Sequence, residues 1–297
     1  MSSTFFTEPP HWHWLVILYF FLGGIAGGTY FLAVLIDLFG RVMDRPLGRL
    51  GHLVVFPIVI VCGLLLIVDL GRPERFWHML VQSETWRPMF KAYSPMSIGA
   101  WGLLGFGFFA FLSFLGAIGD AERSRWPRFR VLRPPRVLGT VVGIVGSIFA
   151  LFIAGYTGVL LAVTNRPIWS DTPLLGLTFL VSSASTSAAL LILLGWRRRW
   201  AATGVHVLAR FDSLVLIFEL IALVALVVSL GNIARVWLNA WGALLVLGVI
   251  VAGILIPLAL NSRPRILGSL TVPAAAILVL VGGFLLRVVI VLSSEAV

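Results

Sequence analysis

The fold is decided first by residues Trp14–Phe39, which read WLVILYFFLGGIAGGTYFLAVLIDLF. This stretch is longer than the about 20 apolar residues that an α-helix needs to cross a bilayer. Seven later stretches have the same character, and the connections between them are rich in Arg, Pro and Gly, as loops usually are. The sequence therefore predicts eight transmembrane helices at Trp14–Phe39, Leu50–Val68, Pro95–Gly119, Val137–Val163, Pro173–Gly195, Ser213–Leu230, Ala240–Leu260 and Leu270–Leu292.

The composition excludes a water-soluble fold. Of 297 residues, 60% are hydrophobic and 11% are charged, whereas an ordinary globular chain has about 25% charged residues. A single core could not bury this much apolar surface, and the mean hydropathy is +1.04. We predict an all-α polytopic membrane protein in the lipid bilayer, with one membrane domain over residues 1–297. Residues 14–163 and 173–292 are predicted to form two four-helix bundles.

The positions of Arg and Lys predict the orientation, because cytoplasmic loops carry an excess of these residues. The loops after helices 1, 3, 5 and 7 contain 15 of them, and the loops after helices 2, 4 and 6 contain six. Both termini are therefore expected on the non-cytoplasmic side, which we call the outer side. We expect no cleavable targeting peptide before the first helix, and we therefore expect a bacterial inner (cytoplasmic) membrane as the location. Topology also accounts for the net charge of +10 without a nucleic acid partner.

The histidines and the single cysteine limit the cofactors that the chain could hold. A haem with two His ligands needs them to face each other on neighbouring helices. We expect no His deep in a span, with His52 at the inner start of helix 2 and His206 in an inner loop. One cysteine is too few for an iron–sulfur cluster or a disulfide framework. No haem, iron–sulfur cluster or other metal site is therefore expected in this chain.

Three acidic residues lie in or beside predicted spans. A charged side chain at the bilayer centre costs about 2.5–3.5 kcal/mol on insertion scales, so such residues are functional hypotheses by default. Asp37, near the inner end of helix 1, and Asp212, at the start of helix 6, can each reach the interface, which leaves a solvated carboxylate as an equal alternative. Glu219 lies about 10 Å inside helix 6. Its side chain should face the bundle, where it is paired, protonated or hydrated.

Small and hydroxylated residues mark two further helix surfaces. The run from Gly23 to Gly28 reads GGIAGG. A dinucleotide loop would need a preceding strand and a water-exposed helix start, so close helix packing is the better interpretation. Helix 5 carries the run SSASTS from Ser182 to Ser187 near mid-membrane. These hydroxyls either join helices or line a hydrated proton route, and both interpretations remain open.

The outer side collects unusual polar residues. Tyr156 lies between glycines, and a phenol buried in this way usually has a hydrogen-bond partner. Asp69 ends helix 2 and Arg72 follows three residues later, either as a simple interfacial ion pair or as part of a site. Outer Trp residues lie beside His, Asp and Arg, a mixture that an aromatic belt does not require. We predict that a partner subunit docks on Arg75, Trp77, Arg87, Arg166 and Trp169.

Four stretches resemble the NrfD/PsrC family, the integral membrane subunits of polysulfide-reductase-like complexes. The second and third of these stretches are specific, and all four lie within the first four predicted helices and the loop after helix 2. They are Tyr19–Gly24 (YFFLGG), Asp69–Phe76 (DLGRPERF), Ser94–Trp101 (SPMSIGAW) and Gly155–Leu161 (GYTGVLL).

The resemblance implies a haem-free site for a quinone, menaquinone or ubiquinone, near the outer face of the first four helices. It also implies electron exchange with a ferredoxin-like iron–sulfur subunit, which serves a molybdopterin catalytic subunit. Family sites use a His near the start of helix 1, a Tyr on a later helix and an acidic or amide partner. The matching residues here are His13 and Tyr156, followed by Asp69, Arg72 and Asn165.

The leading hypothesis is therefore a quinone-reactive membrane anchor and electron-transfer subunit, without stand-alone catalysis. One alternative is a secondary transporter, for which Pro57 and Pro257 allow broken helices. Another is a purely structural tether for a peripheral enzyme. A further hypothesis is proton translocation, along a route from the cytoplasmic side through Asp37, Asp212, Glu219, Ser183 and Ser187.

Overall fold

The computed structural model describes residue 12 and residues 14–121, 124–263, 266 and 268–294. Within these ranges, eight helices are long and apolar enough to cross a membrane. They are α1 (Trp14–Phe39), α2 (Arg45–Asp69), α3 (Pro95–Gly119), α4 (Val137–Ala162), α5 (Leu175–Gly195), α6 (Ala202–Leu230), α7 (Ala240–Ser262) and α8 (Thr271–Ser293). The predictions of an all-α fold and of eight spans are confirmed, and the chain is a multi-pass membrane protein.

Local sequence signals explain where two of the helices begin. α3 starts at Pro95, directly after Ser94, whose hydroxyl accepts a hydrogen bond from the Ser97 backbone N–H at 3.4 Å. Proline suits this first position because it has no N–H group to leave unpaired. α7 starts after Asn239, whose side-chain oxygen accepts a hydrogen bond from the Trp241 N–H at 2.9 Å. Both caps satisfy donors that a helix start leaves free.

The start of α6 differs from the prediction. The helix begins at Ala202, well before Ser213, so His206 and Arg210 lie on the helix and not in a loop. In its first three turns, Val205 and Leu208 are buried while His206 and Arg210 are exposed. This segment is amphipathic. An average of hydropathy along the chain therefore predicts a start that is too late, because the polar residues of one face lower the average that the apolar residues of the other face raise.

α1 lies at the centre of the fold and contacts α2, α4, α5 and α8. Its glycines permit close approach of two neighbours. A Cβ at Gly24 or Gly28 would collide with the Ser183 and Ser187 hydroxyls of α5, respectively, and one at Gly27 would collide with the backbone of α4. The interpretation of this glycine run as a helix-packing motif is confirmed.

The helix contacts join both halves of the chain. In the first half, α1 contacts α2 and α4, and α3 lies against both α2 and α4. In the second half, α5 contacts α6 and α8, and α7 lies along α8. Contacts of α5 with α1 and α4 connect the halves. The division into two four-helix bundles stays a prediction.

α7 is helical throughout but not α-helical throughout. Its middle, Leu244–Leu255, is a π-helix, and the α-helical form returns at Ile256–Ser262. Gly253 and Gly282 of α8 face each other, so that a Cβ on either would collide with the backbone of the other. These two glycines allow the backbones of α7 and α8 to come into direct contact.

The two ends of the molecule differ in the loops that they hold. The outer end holds the start of α1 and the loop between α2 and α3. The inner end holds the loops that follow α1 and α3. The names of the ends follow the orientation predicted from Arg and Lys, which stays a prediction.

Candidate functional site

Tyr156 lies near the outer end, between α4 and α3. Its phenol donates a hydrogen bond to the Pro95 carbonyl oxygen at 2.6 Å. Its ring stacks on Phe152, with centroids 5.2 Å apart. The ring also lies over Gly99 of α3, where any Cβ would overlap it. The side chain is 7% exposed, and the phenol has the hydrogen-bond partner that burial requires.

A second buried phenol, Tyr19, lies within electrostatic range of Tyr156. Tyr19 is buried on α1, and its side chain is close enough to interact electrostatically with Tyr156 and with Cys62 of α2. The Tyr19 ring packs beside Gly23, one turn further along α1, at a distance of 3.6 Å from an added Cβ, which is an ordinary van der Waals contact. Tyr19 is not among the site residues predicted from sequence. Its place at the head of the YFFLGG stretch is the signal that could have identified it.

The other predicted quinone ligands lie on the outer surface. Asp69 is half-buried at the end of α2, and Arg72 and Asn165 are exposed. In the described part of the chain no ion pair joins Asp69 to Arg72, so the alternative of a simple interfacial ion pair does not hold. Gly71, between them, has a φ of +66°, a backbone conformation that redirects the chain after the helix. His13 lies outside the described residues.

Three of the predicted docking residues are accessible. They lie in the loop between α2 and α3, which contains the short 3₁₀ helix Pro73–Met79. Arg75 and Arg87 are exposed. Trp77 is half-buried and stacks on Trp86, with ring centroids 5.5 Å apart and planes 9° apart. This surface combines two cations with an accessible aromatic pair.

The other two predicted docking residues lie inside the fold. Trp169 is 0% exposed, and its indole N–H donates a hydrogen bond to the Ile290 carbonyl oxygen of α8 at 2.8 Å. Its ring is 5.1 Å from that of Trp12. Arg166 is 4% exposed, with its guanidinium 5.5 Å from the Trp169 ring. The prediction that they offer a docking surface is wrong, because both side chains are buried inside the outer end of the fold.

Asp37 does not reach the interface as predicted. It is 2% exposed. Arg133, from the loop between α3 and α4, donates to both of its oxygens at 3.0 and 2.6 Å. His52 Nε2 is 3.3 Å from one of these oxygens. Arg133 also donates to Asp120 at 2.5 Å and to the Arg45 carbonyl oxygen at 2.6 Å. Asp37 therefore holds the inner loop against α1 and α2.

Asp212 is likewise buried, at 1% exposure. The prediction that it opens helix 6 is wrong, because α6 begins at Ala202 and the residue lies about 15 Å along the helix. Ser185 of α5 donates a hydrogen bond to its Oδ1 at 2.6 Å. Asn261 of α7 and Glu219 also interact with it. Among the described residues nothing connects Asp212 with Asp37.

Glu219 faces the bundle, as predicted, and is 3% exposed. It lies two turns beyond Asp212 on the same face of α6. Its carboxyl group interacts with Ser182 of α5 and with Arg287 of α8. Arg287, which is not among the residues predicted from sequence, is 0% exposed. A buried cation opposite a buried carboxyl group offsets part of the cost of burying each.

Arg287 is held from several directions. One terminal nitrogen donates to the Ser182 hydroxyl at 2.5 Å and to the Gly283 carbonyl oxygen at 2.8 Å. The other donates to Ser183 at 3.2 Å and to the Phe179 carbonyl oxygen at 3.3 Å. The guanidinium also lies 5.0 Å from the centroid of the Phe179 ring, a cation–π distance. These contacts fix the position of the charge between α5 and α8.

The hydroxyls of α5 make two kinds of contact, with ionisable groups and with backbone carbonyl oxygens. Ser182 and Ser185 contact ionisable groups, as described above. Ser187 donates to the Ile25 carbonyl oxygen of α1 at 3.0 Å, and thus joins two helices. Ser183 donates to the Phe179 carbonyl oxygen at 2.6 Å and also contacts Arg287. The run therefore both joins helices and lines a polar interior, through different residues.

The histidines do not occupy the positions expected for them. His52 is buried within α2, 2% exposed, and its ring lies edge to face against Tyr30, with centroids 5.3 Å apart. His206 is exposed on α6. In the described ranges, no group of three or more His, Cys, Asp or Glu side chains is arranged to hold a metal ion.

These features define a polytopic helical membrane protein with a pair of phenols at its outer end and a column of ionisable groups between α5, α6 and α8. A family model described as polysulphide reductase, NrfD, matches residues 2–297. The chain therefore belongs to the NrfD family, and the resemblance found in its sequence is confirmed.

Two of the individual relatives cover most of the chain. A polysulfide reductase chain of Wolinella succinogenes is 30% identical over 270 residues, which is 84% of this protein and 82% of the relative. Protein NrfD of Escherichia coli is 29% identical over 300 residues, 92% of this protein and 90% of the relative. A selenate reductase subunit of Mesobacillus selenatarsenatis is 27% identical over 84 residues, 28% of this protein and 20% of the relative.

Proposed function

We propose that the chain is the quinone-reactive membrane anchor of a respiratory oxidoreductase complex. It exchanges electrons between the menaquinone or ubiquinone pool and a ferredoxin-like iron–sulfur subunit, which serves a molybdopterin catalytic subunit. Two relatives are named as parts of polysulfide and selenate reductases, and a reductase anchored in lipid has a lipid-soluble reductant within reach. The observation that carries the proposal is the buried pair of phenols, Tyr19 and Tyr156, between apolar helices at the outer end.

Quinone chemistry moves two electrons and two protons, so the site needs hydrogen-bond donors for two carbonyl oxygens. Tyr156 is one donor, since its phenol can turn from the Pro95 carbonyl oxygen to a bound ligand. His13 is proposed for the second oxygen, because a neutral imidazole both donates and accepts near pH 7. Asp69, Arg72 and Asn165 complete the proposed site from the surface.

The accessible loop between α2 and α3 is the proposed docking surface for the iron–sulfur subunit. Arg75 and Arg87 supply positive charge, and the stacked Trp77 and Trp86 supply apolar area. Aromatic and Arg side chains are the types most enriched among residues that dominate binding energy. The surface lies at the same end of the molecule as Tyr156.

We place the proposed proton route in the second half of the chain. It runs from Asn261 through Asp212 and Glu219 to Arg287, with the hydroxyls of α5 alongside. Ionisable groups inside a membrane are costly and usually mark ion or proton pathways. Asp37 is left out of this route because Arg133 occupies both of its oxygens.

The quinone site is tested by Tyr156→Phe in the intact complex, with Tyr30→Phe as the matched control. Tyr30 is also a buried phenol, hydrogen-bonded to Ser113 at 2.8 Å and to the Val142 carbonyl oxygen at 3.1 Å, but at the inner half of α1. Tyr156→Phe should cost about 1 kcal/mol of stability, the value of one hydrogen bond, and Tyr30→Phe about twice that, because its phenol makes two. Only Tyr156→Phe should lower quinone turnover, while reaction of the partner subunits with a soluble dye is retained. Equal turnover in both variants would contradict the site and favour a structural tether.

The proton route is tested by Glu219→Gln in sealed vesicles that contain the complex. The variant should keep its quinone turnover and release fewer protons per electron, because glutamine cannot carry a proton through the column whereas the two protons of the quinone reaction itself are still exchanged. The measured quantity is the ratio of protons to electrons, with Glu74→Gln on the exposed outer loop as control. An unchanged ratio in Glu219→Gln would remove Glu219 from the route.

A further inference from the structure

An apolar groove runs along the outer half of the molecule between α3 and α4. Its volume is about 940 Å³, near the upper end of the 300–1,000 Å³ that is typical of small-molecule sites. It extends for about 15 Å along α3. Its walls are apolar and largely aromatic, and include Phe90, Trp101, Leu104, Phe108, Ile148 and Phe152.

Two glycines of α3 create the floor of the groove. Gly102 and Gly105 lie against the rings of Phe152 and Phe149, and a Cβ at either glycine would collide with the facing ring. The absence of side chains lets the two rings lie close against α3 and leaves the space above them empty. Leu104, Phe108 and Ile148 at the edges are 49%, 56% and 64% exposed, so the groove opens to the surrounding lipid.

The upper end of the groove adjoins the proposed quinone site. Phe152 lines the groove and stacks on Tyr156, so the two share one aromatic wall. The indole N–H of Trp101 donates to the Met89 carbonyl oxygen at 3.0 Å. This bond holds the loop residues that cover the top of the groove. An extended apolar chain in the groove would therefore reach the Tyr156 phenol with its polar end.

We propose that this groove binds the polyisoprenoid tail of the quinone while the ring lies at Tyr156. The inference rests on the proposed function and adds a substrate property, selection for a long isoprenoid tail. The tail leaves lipid and not water, so the groove gains little from the hydrophobic effect. The shape of the groove holds the tail along one path, and this orients the quinone ring.

The test compares two quinones with the same ring, one with a single isoprenoid unit and one with a long polyisoprenoid tail. Both are assayed with the intact complex in lipid nanodiscs. Ile148→Trp fills the groove from its exposed edge without burying new atoms in the fold. Ile144→Trp is the matched control, because Ile144 lies one turn away on α4, is 49% exposed and does not line the groove.

We expect Ile148→Trp to lower kcat/KM for the long-tailed quinone about tenfold and to change that for the single-unit quinone less than about twofold. Ile144→Trp should leave both unchanged. An equal loss for both quinones, or no loss for either, would overturn the tail assignment and leave the groove to a bilayer lipid. If the unmodified complex turns over neither quinone, the proposed function fails as well, and this outcome is distinct from the others. Recovery of both variants with their partner subunits checks that they fold.

Discussion

Arg287 decides how Glu219 can exist inside the membrane. A lone buried carboxylate or guanidinium has an effective cost of several kcal/mol, but a buried pair with additional hydrogen bonds recovers much of it. Arg287 supplies the opposite charge and four hydrogen bonds to α5 and α8. Arg287 therefore joins α5 and α8 by hydrogen bonds, and its charge acts on Glu219 of α6 electrostatically, without a direct hydrogen bond among the described residues.

The sequence holds a signal for Arg287 that hydropathy does not use. The chain contains 22 Arg and Lys residues, and the predicted loops account for 15 and six of them. The one that remains is Arg287, within a predicted span. The interpretation of Asp37 and Asp212 as solvated carboxylates is wrong for a related reason, because position near a helix end does not reveal which face of the helix a side chain occupies. Burial follows from neighbours that are distant in sequence.

A double-mutant cycle tests the Glu219–Arg287 pair. Glu219→Gln and Arg287→Gln should each destabilise the protein by about 1–3 kcal/mol, because each leaves buried polar partners unsatisfied. The double variant should be less destabilised than the sum, with a coupling of about 0.5–3 kcal/mol. The measurement is thermal unfolding in one detergent. Arg210→Gln, exposed on the same helix, should change stability by less than about 0.5 kcal/mol, and strict additivity in the cycle would argue against the pair.

At the scale of helices, the quality of the sequence prediction depends on how uniform each span is. α1 and α3 are apolar over their whole length, and both begin and end at the predicted residues. α6 starts with an amphipathic segment, and it begins at Ala202, not at the predicted Ser213. An average of hydropathy along the chain predicts well which residues cross the membrane, but it does not predict which face of a helix is polar. The π-helical middle of α7 has no sequence signal that we recognise.

The packing of α1 on α5 predicts opposite effects for one substitution at two sites. Gly28→Ala should destabilise the protein by about 1–3 kcal/mol, the usual cost of overfilling a packed interior, because the new Cβ meets the Ser187 hydroxyl and the Ser183 carbonyl oxygen. Gly63→Ala on α2 meets nothing within 4 Å. It should be neutral or stabilise by up to about 1 kcal/mol, since Ala favours the helix over Gly. Thermal unfolding of the two variants in one detergent checks this, and equal shifts would contradict the close α1–α5 contact.

At the scale of the whole molecule, the number of spans and the family could be predicted from sequence, but the site could not be assembled. The number of spans follows from the length and spacing of apolar runs, which a bilayer constrains directly. The family is predicted from stretches in the first half of the chain. The column of ionisable groups needs α5, α6 and α8 to meet side by side, and no local pattern encodes that arrangement. Arg166 and Trp169 show the same limit, since an outer loop can fold inward.

The orientation of the whole chain can be settled by labelling two loops at opposite ends. In a Cys62→Ser background, Arg87→Cys and Arg128→Cys each place one thiol at an exposed loop position, the first at the outer end and the second at the inner end. The excess of Arg in the inner loops predicts that they are cytoplasmic. A membrane-impermeant maleimide should therefore label Arg87→Cys in intact spheroplasts, and should label Arg128→Cys only after the membrane is permeabilised. Cys62 is buried, and serine is close to it in size, so the replacement should not disturb the topology. The reverse labelling pattern would move Tyr156 and the docking loop to the cytoplasmic face, and the iron–sulfur partner would then have to bind there.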